Sequence, residues 1–204
     1  MADAGRVIAG TAKGVRLTAP GPGTRPLADR VKQTLFAVLE PEIPGAVVLD
    51  LFAGSGAGGI EALSRGAARA TFVEKDGGTA RVLAANLRRT HLDGAGRVVR
   101  RDALAWLRDP AGAAADGPFD LVLVDPPYAD TEALTRALEL VGPQTAADGI
   151  VVAKHFWRDA PPPVVGLLAS VRERRFGETA LTFYRRGAPD GPGAPPDDEE
   201  ASEA

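Results

Sequence analysis

The chain has 204 residues, 45% of them apolar and 25% charged, enough for one substantial α/β domain. It contains no cysteine and only two histidines, His91 and His155, so a disulfide framework and a thiolate nucleophile are excluded and neither zinc nor another metal is expected. The formal charge of −3 is deceptive: Asp190, Asp197, Asp198, Glu199, Glu200 and Glu203 follow Gly187 with no basic residue among them, and removing these six acids takes −3 to +3.

That stretch of Pro, Gly, Ala and acids, 187–204, cannot bury a core and reads as a disordered acidic tail. Nowhere do about 18 apolar residues run together, so neither a membrane partner nor a signal segment is expected and a cytoplasmic location follows.

From the N-terminus, Arg6 to Ala9 and Val15 to Thr18 are β-favouring pieces around Gly10-Thr11-Ala12-Lys13-Gly14, a hairpin signal that makes 1–24 a small N-terminal extension. Over 27–39 the apolar positions Leu27, Val31, Leu35 and Val38 recur at helical spacing, with Asp29 as a start and Pro41 past the end. The body of the chain, 25–186, then alternates. Strands are predicted over 47–52, 70–74, 97–100, 121–124 and 150–154, and helices over 58–65, 79–91, 103–109 and 132–141. Such alternation predicts a mostly parallel sheet covered on both faces. Residues 172–176 and 179–184, joined by Gly177-Glu178, finish it with an antiparallel hairpin.

The stretch Val47-Val48-Leu49-Asp50-Leu51-Phe52-Ala53-Gly54-Ser55-Gly56-Ala57-Gly58-Gly59 is a buried strand that ends in glycines and opens a helix. Such a turn lets the backbone approach a ligand and aims free N–H groups at it. Gly54, Gly56 and Gly59 have the G-x-G-x-x-G spacing, and Glu74 stands 20 positions after Gly54, placed for ribose hydroxyls. The pattern suits a dinucleotide and S-adenosylmethionine equally. Asp50 beside the turn favours the second, since an acid attracts a sulfonium and an amino group and repels a pyrophosphate. Asp102, with Ala103 beside it, is placed for the adenine amine, or caps the helix that starts there.

Asp125-Pro126-Pro127-Tyr128 follows the buried run Leu121-Val122-Leu123-Val124. Ligands in open α/β sheets bind at the carboxyl ends of strands, so this corner should face the glycine turn. An exocyclic base amine is a poor nucleophile because its lone pair is conjugated into the ring. Asp125 and the Pro126 carbonyl can each accept one of its hydrogens, which localises the lone pair and offsets the charge developing on nitrogen. Tyr128 offers a flat face for a base to stack on. A nicotinamide-dependent oxidoreductase and an adenine-N6 DNA methyltransferase remain alternatives on these motifs alone.

Arg25-Pro26-Leu27-Ala28-Asp29-Arg30-Val31-Lys32-Gln33-Thr34-Leu35-Phe36, Leu49 to Gly56, Glu61-Ala62-Leu63-Ser64-Arg65-Gly66-Ala67 and Asp125 to Tyr128, with the opening Arg6 to Gly10, resemble the RsmD family. The likeness runs from about Arg6 to Arg186. It implies a Rossmann-like class I S-adenosylmethionine-dependent methyltransferase that modifies the N2 amine of a guanine in 16S ribosomal RNA, free or in an assembling small subunit. It further implies a cofactor wall of Asp50, Phe52, Ala53, Gly54, Ser55, Gly56, Glu74, Lys75, Asp102 and Ala103, a chemistry corner of Asp125, Pro126, Pro127 and Tyr128, and Arg30 near the active site. A monomer is the expected form. Three residues depart from the family pattern: Leu27 replaces a small hydroxyl residue, Gly58 an aliphatic one, and Lys154 with His155 a glutamate after the fifth core strand.

Charge also argues for RNA. Arg6, Lys13, Arg16, Arg25, Arg30 and Lys32 gather in the N-terminal part, against only Asp3 and Asp29 before Phe36. Phosphate neutralisation by such a cluster supplies affinity without sequence choice. Arg172, Arg174 and Arg175 read as a solvated surface, and His91, His155, Trp106 and Trp157 as packing or ordinary exposure.

Overall fold

The computed structural model describes residues 3–21, 29–109, 112, 113 and 115–187. Arg25, Leu27 and the acids of the tail therefore lie outside the described residues.

Two short strands, β1 (Asp3–Arg6) and β2 (Arg16–Thr18), form the N-terminal hairpin. Ten-residue α1 (Asp29–Val38) follows and starts at the expected acid. The core then runs β3 (Val47–Leu51), α2 (Ala57–Ser64), β4 (Arg69–Val73), α3 (Gly77–Arg89), β5 (Gly96–Val99), α4 (Ala103–Leu107), β6 (Phe119–Val124), α5 (Thr131–Val141) and β7 (Thr145–Phe156). Strands β8 (Val164–Val165), β9 (Leu168–Phe176) and β10 (Thr179–Arg186) close the chain.

The eight-stranded sheet has the order β5-β4-β3-β6-β7-β10-β9-β8. Its first five strands are parallel and its last three pairings antiparallel, a Rossmann-like α/β arrangement. The chain leaves β3 in one direction for β4 and β5, then returns to place β6 on the other side. Between the carboxyl ends of β3 and β6 lies the topological switch point, where such sheets form their crevice.

Both faces are covered, which explains the near-continuous apolar runs of the central strands. One face packs α1, α2, α3 and the N-terminal hairpin through Leu35, Phe36, Ile60, Leu83 and Leu17 onto Val48, Phe72, Leu123 and Phe183. The other packs α4, α5 and the β8 region through Trp106, Leu134, Leu138 and Val141 onto Leu49, Val122, Val151 and Tyr184. Helix α5 shows the reason in its spacing: Leu134, Ala137, Leu138 and Val141 share one buried stripe, and Asp130 caps the first turn by accepting from Ala133 N at 3.0 Å.

Several boundaries differ from the expectation, among them that of β9, which begins at Leu168 rather than at 172. β1 is shifted toward the N-terminus because the Ile8 and Ala9 amides donate to the buried Glu61 carboxylate, at 2.8 and 3.0 Å. β7 runs five residues earlier and two later than 150–154, because β10 pairs with it as far as Phe156. Lys154 and His155 accordingly lie inside the strand rather than after it. The two-residue β8 carries no periodicity that a sequence reading could detect.

Candidate active site

A cavity of about 730 Å³ opens at the switch point, within the range of small-molecule sites. Phe52, Ala53, Gly54 and Ser55 line one side and Asp125, Pro126, Pro127 and Tyr128 another. Asp50, Glu74, Lys75, Asp102 and Ala103 complete the wall from the ends of β3, β4 and β5. The two motifs, some 70 positions apart in the chain, are adjacent because β3 and β6 are hydrogen-bonded neighbours, with Leu51 opposite Val124.

The glycine turn is tight. Phe52 adopts φ 59°, uncommon for an aromatic residue, and Gly54 φ 54°. Gly54 N donates to Glu74 Oε2 at 3.0 Å, while Glu74 Oε1 accepts from Asp76 N at 2.8 Å. Glu74 thus ties the end of β4 to the turn. Gly56 stands behind the wall rather than on it. It begins α2 with φ 79°, where a Cβ would press to 3.0 Å from Leu83 Cγ. At Gly58 a Cβ would lie 2.7 Å from Leu123 Cδ1, so that leucine fills the space an aliphatic residue at 58 would need.

Asp50 is buried and its Oδ2 accepts from Gly59 N at 2.8 Å, on the first turn of α2. Burial pushes its carboxyl up to about 7, the Gly59 hydrogen bond opposes this, and the charges of Asp125 and Glu74 add to it. Asp102 caps α4 by accepting from Ala105 N at 2.9 Å and still borders the cavity. Tyr128 is fixed at its tip, its hydroxyl 2.7 Å from Thr179 Oγ1.

Several contributors carry no local sequence signal. Lys154 Nζ lies 2.6 Å from Asp125 Oδ1 and 2.8 Å from Oδ2, and 5.2 Å from the Tyr128 ring centroid. Asn86, fully buried on α3, donates to Ser55 O and Thr18 O at 2.9 Å and accepts from Thr18 N, joining the glycine turn to the N-terminal segment. Ala4, Ala19 and Pro20 line the cavity, so the N-terminal extension forms part of its wall.

The basic cluster divides. Arg6, Lys13, Arg16 and Arg30 are exposed, with Arg6 3.4 Å from Asp29 and Arg16 2.6 Å from Asp3. Lys32 is a correction: its side chain is 0% exposed, it donates to the Arg6 carbonyl, and it sits 3.9 Å from Glu61 Oε2. Burial lowers its pKa, partly offset by Glu61. Lys32 cannot meet a phosphate. Its spacing from Leu35, Phe36 and Leu39 puts it on the apolar stripe of α1, a signal that counting cations overlooks.

Of the residues set aside, Trp106 and His155 are buried, His155 bonding Thr182 Oγ1 at 2.8 Å. Trp157 packs between Arg158 and Arg175, 4.7 and 3.7 Å from its ring centroid.

The profile of the family described as conserved hypothetical protein 95 matches residues 5–185. YlbH of Bacillus subtilis (strain 168), named an rRNA methyltransferase, is 37% identical over 184 residues, 89% of this chain and 98% of that protein. Ribosomal RNA small subunit methyltransferase D of Escherichia coli (strain K12) is 38% identical over 186 residues, 90% of each chain. The solved structure of yhhF from Escherichia coli superposes with a TM-score of 0.78 at 36% identity, covering 90% of this chain and 98% of that one.

Proposed function

This chain belongs to the RsmD family, that of conserved hypothetical protein 95, and from that premise we propose that it is an S-adenosylmethionine-dependent methyltransferase acting on the N2 amine of a guanine in 16S ribosomal RNA. The observation that carries this reading is the single cavity bordered by both the glycine turn and the Asp125 to Tyr128 corner.

The residues present fit the cofactor. The wall holds acids at three strand ends, Asp50, Glu74 and Asp102, and no cation beside the turn except exposed Lys75. Gly54 would take the methionine end, with the Asp50 carboxyl beneath it. Glu74 would take the ribose hydroxyls, and Asp102 with Ala103 the adenine edge. Bound there, S-adenosylmethionine supplies an electrophilic methyl group on sulfur.

The chain's own work is acceptance and positioning. The target base leaves its stack to lie against Tyr128. Asp125 accepts one hydrogen of the amine and the Pro126 carbonyl the other, which aims the nitrogen lone pair into the cavity. As nitrogen gains positive charge, the Asp125 carboxylate offsets it, and the proton that nitrogen sheds leaves along that hydrogen bond. Exposed Lys13, Arg16 and Arg30 hold the RNA by its phosphates without choosing a sequence.

The test is transfer of labelled methyl from S-adenosylmethionine to small-subunit RNA and to assembling subunits, followed by nucleoside mapping. N2-methylguanosine is expected, with at least a hundredfold loss in Asp125→Ala. An Asp125→Ala protein as fast as wild type would refute the mechanism. Uptake into DNA, or thermal stabilisation by NADH but not by S-adenosylhomocysteine, would refute the assignment.

A further inference from the structure

Five carboxylates border this cavity, Asp50, Glu74, Asp102, Asp125 and Asp130, yet among the described residues only Asp125, on the chemistry corner, is paired with a buried cation. Lys154 projects from β7 on the sheet face it shares with Leu181, its partner on β10. Its side chain is 11% exposed and that of Asp125 31%. Burying an ammonium to this degree is unfavourable unless its donors are satisfied. Here the ammonium nitrogen spans one carboxylate, at 2.6 Å to Oδ1 and 2.8 Å to Oδ2. That contact holds the Asp125 carboxylate group in place beside the Tyr128 ring. The same ammonium faces the Tyr128 ring at 5.2 Å, while Thr179 Oγ1 holds the hydroxyl of that ring at 2.7 Å.

We infer that Lys154 is a positioning residue: it acts through Asp125 and Tyr128, holding in place the carboxylate that receives the amine and occupying one face of the ring. This rests on the functional reading above. Its ammonium is engaged by Asp125. With one face of Tyr128 occupied by a cation, a base has the other face alone to stack on, and the amine then meets a carboxylate anchored beside that ring. Among the described residues along the wall nothing else replaces the lysine, because the other cation, Lys75, is exposed beyond β4.

The experiment is steady-state methyl transfer to small-subunit RNA by Lys154→Met, Lys154→Arg, Asp125→Asn and the Asp125→Asn/Lys154→Met double variant. The expected result for Lys154→Met is a kcat about 10 to 100-fold lower, with the KM for RNA and the Kd for S-adenosylhomocysteine within threefold of wild type. Lys154→Arg should recover most of that loss. Because Lys154→Met leaves a half-buried acid unpaired and can unfold the corner, the double variant supplies the second arm: it should match Asp125→Asn within twofold, since the lysine acts through the acid it holds. An unchanged kcat in Lys154→Met, or a further tenfold loss in the double variant, overturns the clamp alone. A wild-type protein that transfers no methyl to this RNA overturns the functional reading, and the clamp with it.

Discussion

Replacing Asp50 by Asn removes a charge from the most enclosed acid at the site while keeping an oxygen for Gly59 N, now 2.8 Å away. Burial pushes the Asp50 carboxyl from 3.8 up to about 7, so the folded protein retains a proton that the unfolded chain gives up. The sign follows directly. Stability contributed by this group is highest below the unfolded pKa, declines as pH rises toward the folded pKa, and is level above it. Between pH 5 and the plateau lie about two pH units at about 1.4 kcal/mol each, so the wild type loses about 3 kcal/mol from this residue over that window. Asp50→Asn titrates nothing there. Its neutral amide costs about 1 kcal/mol through a weaker hydrogen bond at either pH. Urea unfolding of both proteins at pH 5 and pH 8 measures the change, since other titrating groups cancel in the comparison. The variant should gain about 3 kcal/mol on the wild type between pH 5 and pH 8. A difference that stays constant within about 1 kcal/mol would mean that Asp50 is ionised throughout, and that burial does not govern it.

Two further outcomes follow from contacts remote from the chemistry. Glu61→Ala should destabilise by about 3–5 kcal/mol, because this fully buried acid accepts from Ile8 N, Ala9 N and Arg65 Nε and faces Lys32. Thermal unfolding measures the loss, and faster hydrogen exchange at Ile8 and Ala9 should accompany it; unchanged exchange there would mean that Glu61 does not secure these amides. The Lys13→Glu/Arg16→Glu variant should leave the melting temperature nearly unchanged, since both side chains are exposed. It should lower RNA affinity and reduce the slope of log K against log salt by about 2, and an unaltered slope would remove the hairpin from the RNA contact.

Periodicity and turn chemistry, which are local, were readable from the chain. The alternation of strands and helices, the glycine turn after Leu51, the cap at Asp102 and the closing hairpin need only neighbours within a few residues, and those neighbours are printed in the order of the sequence. Side-chain fate was not readable in this way. Lys32 and Lys154 are both lysines in amphipathic surroundings, and both are buried; one secures the Arg6 carbonyl beneath the N-terminal arm and the other grips Asp125. Counting charges made the first an RNA contact, and the family pattern marked the second only as a departure. Their partners lie 26 and 29 positions away, and are brought near only when β1 docks on α1 and β7 aligns beside β6.

What the linear order of residues determined is therefore the set of elements and the chemical character of each strand end. What the tertiary structure alone decided is which ends meet. A parallel sheet converts a reversal of strand order into proximity, so the acid corner after β6 and the glycine turn after β3 come to share one cavity. The same packing assigns each buried cation its acid, because a charge withdrawn from water must find its partner wherever the fold happens to place one.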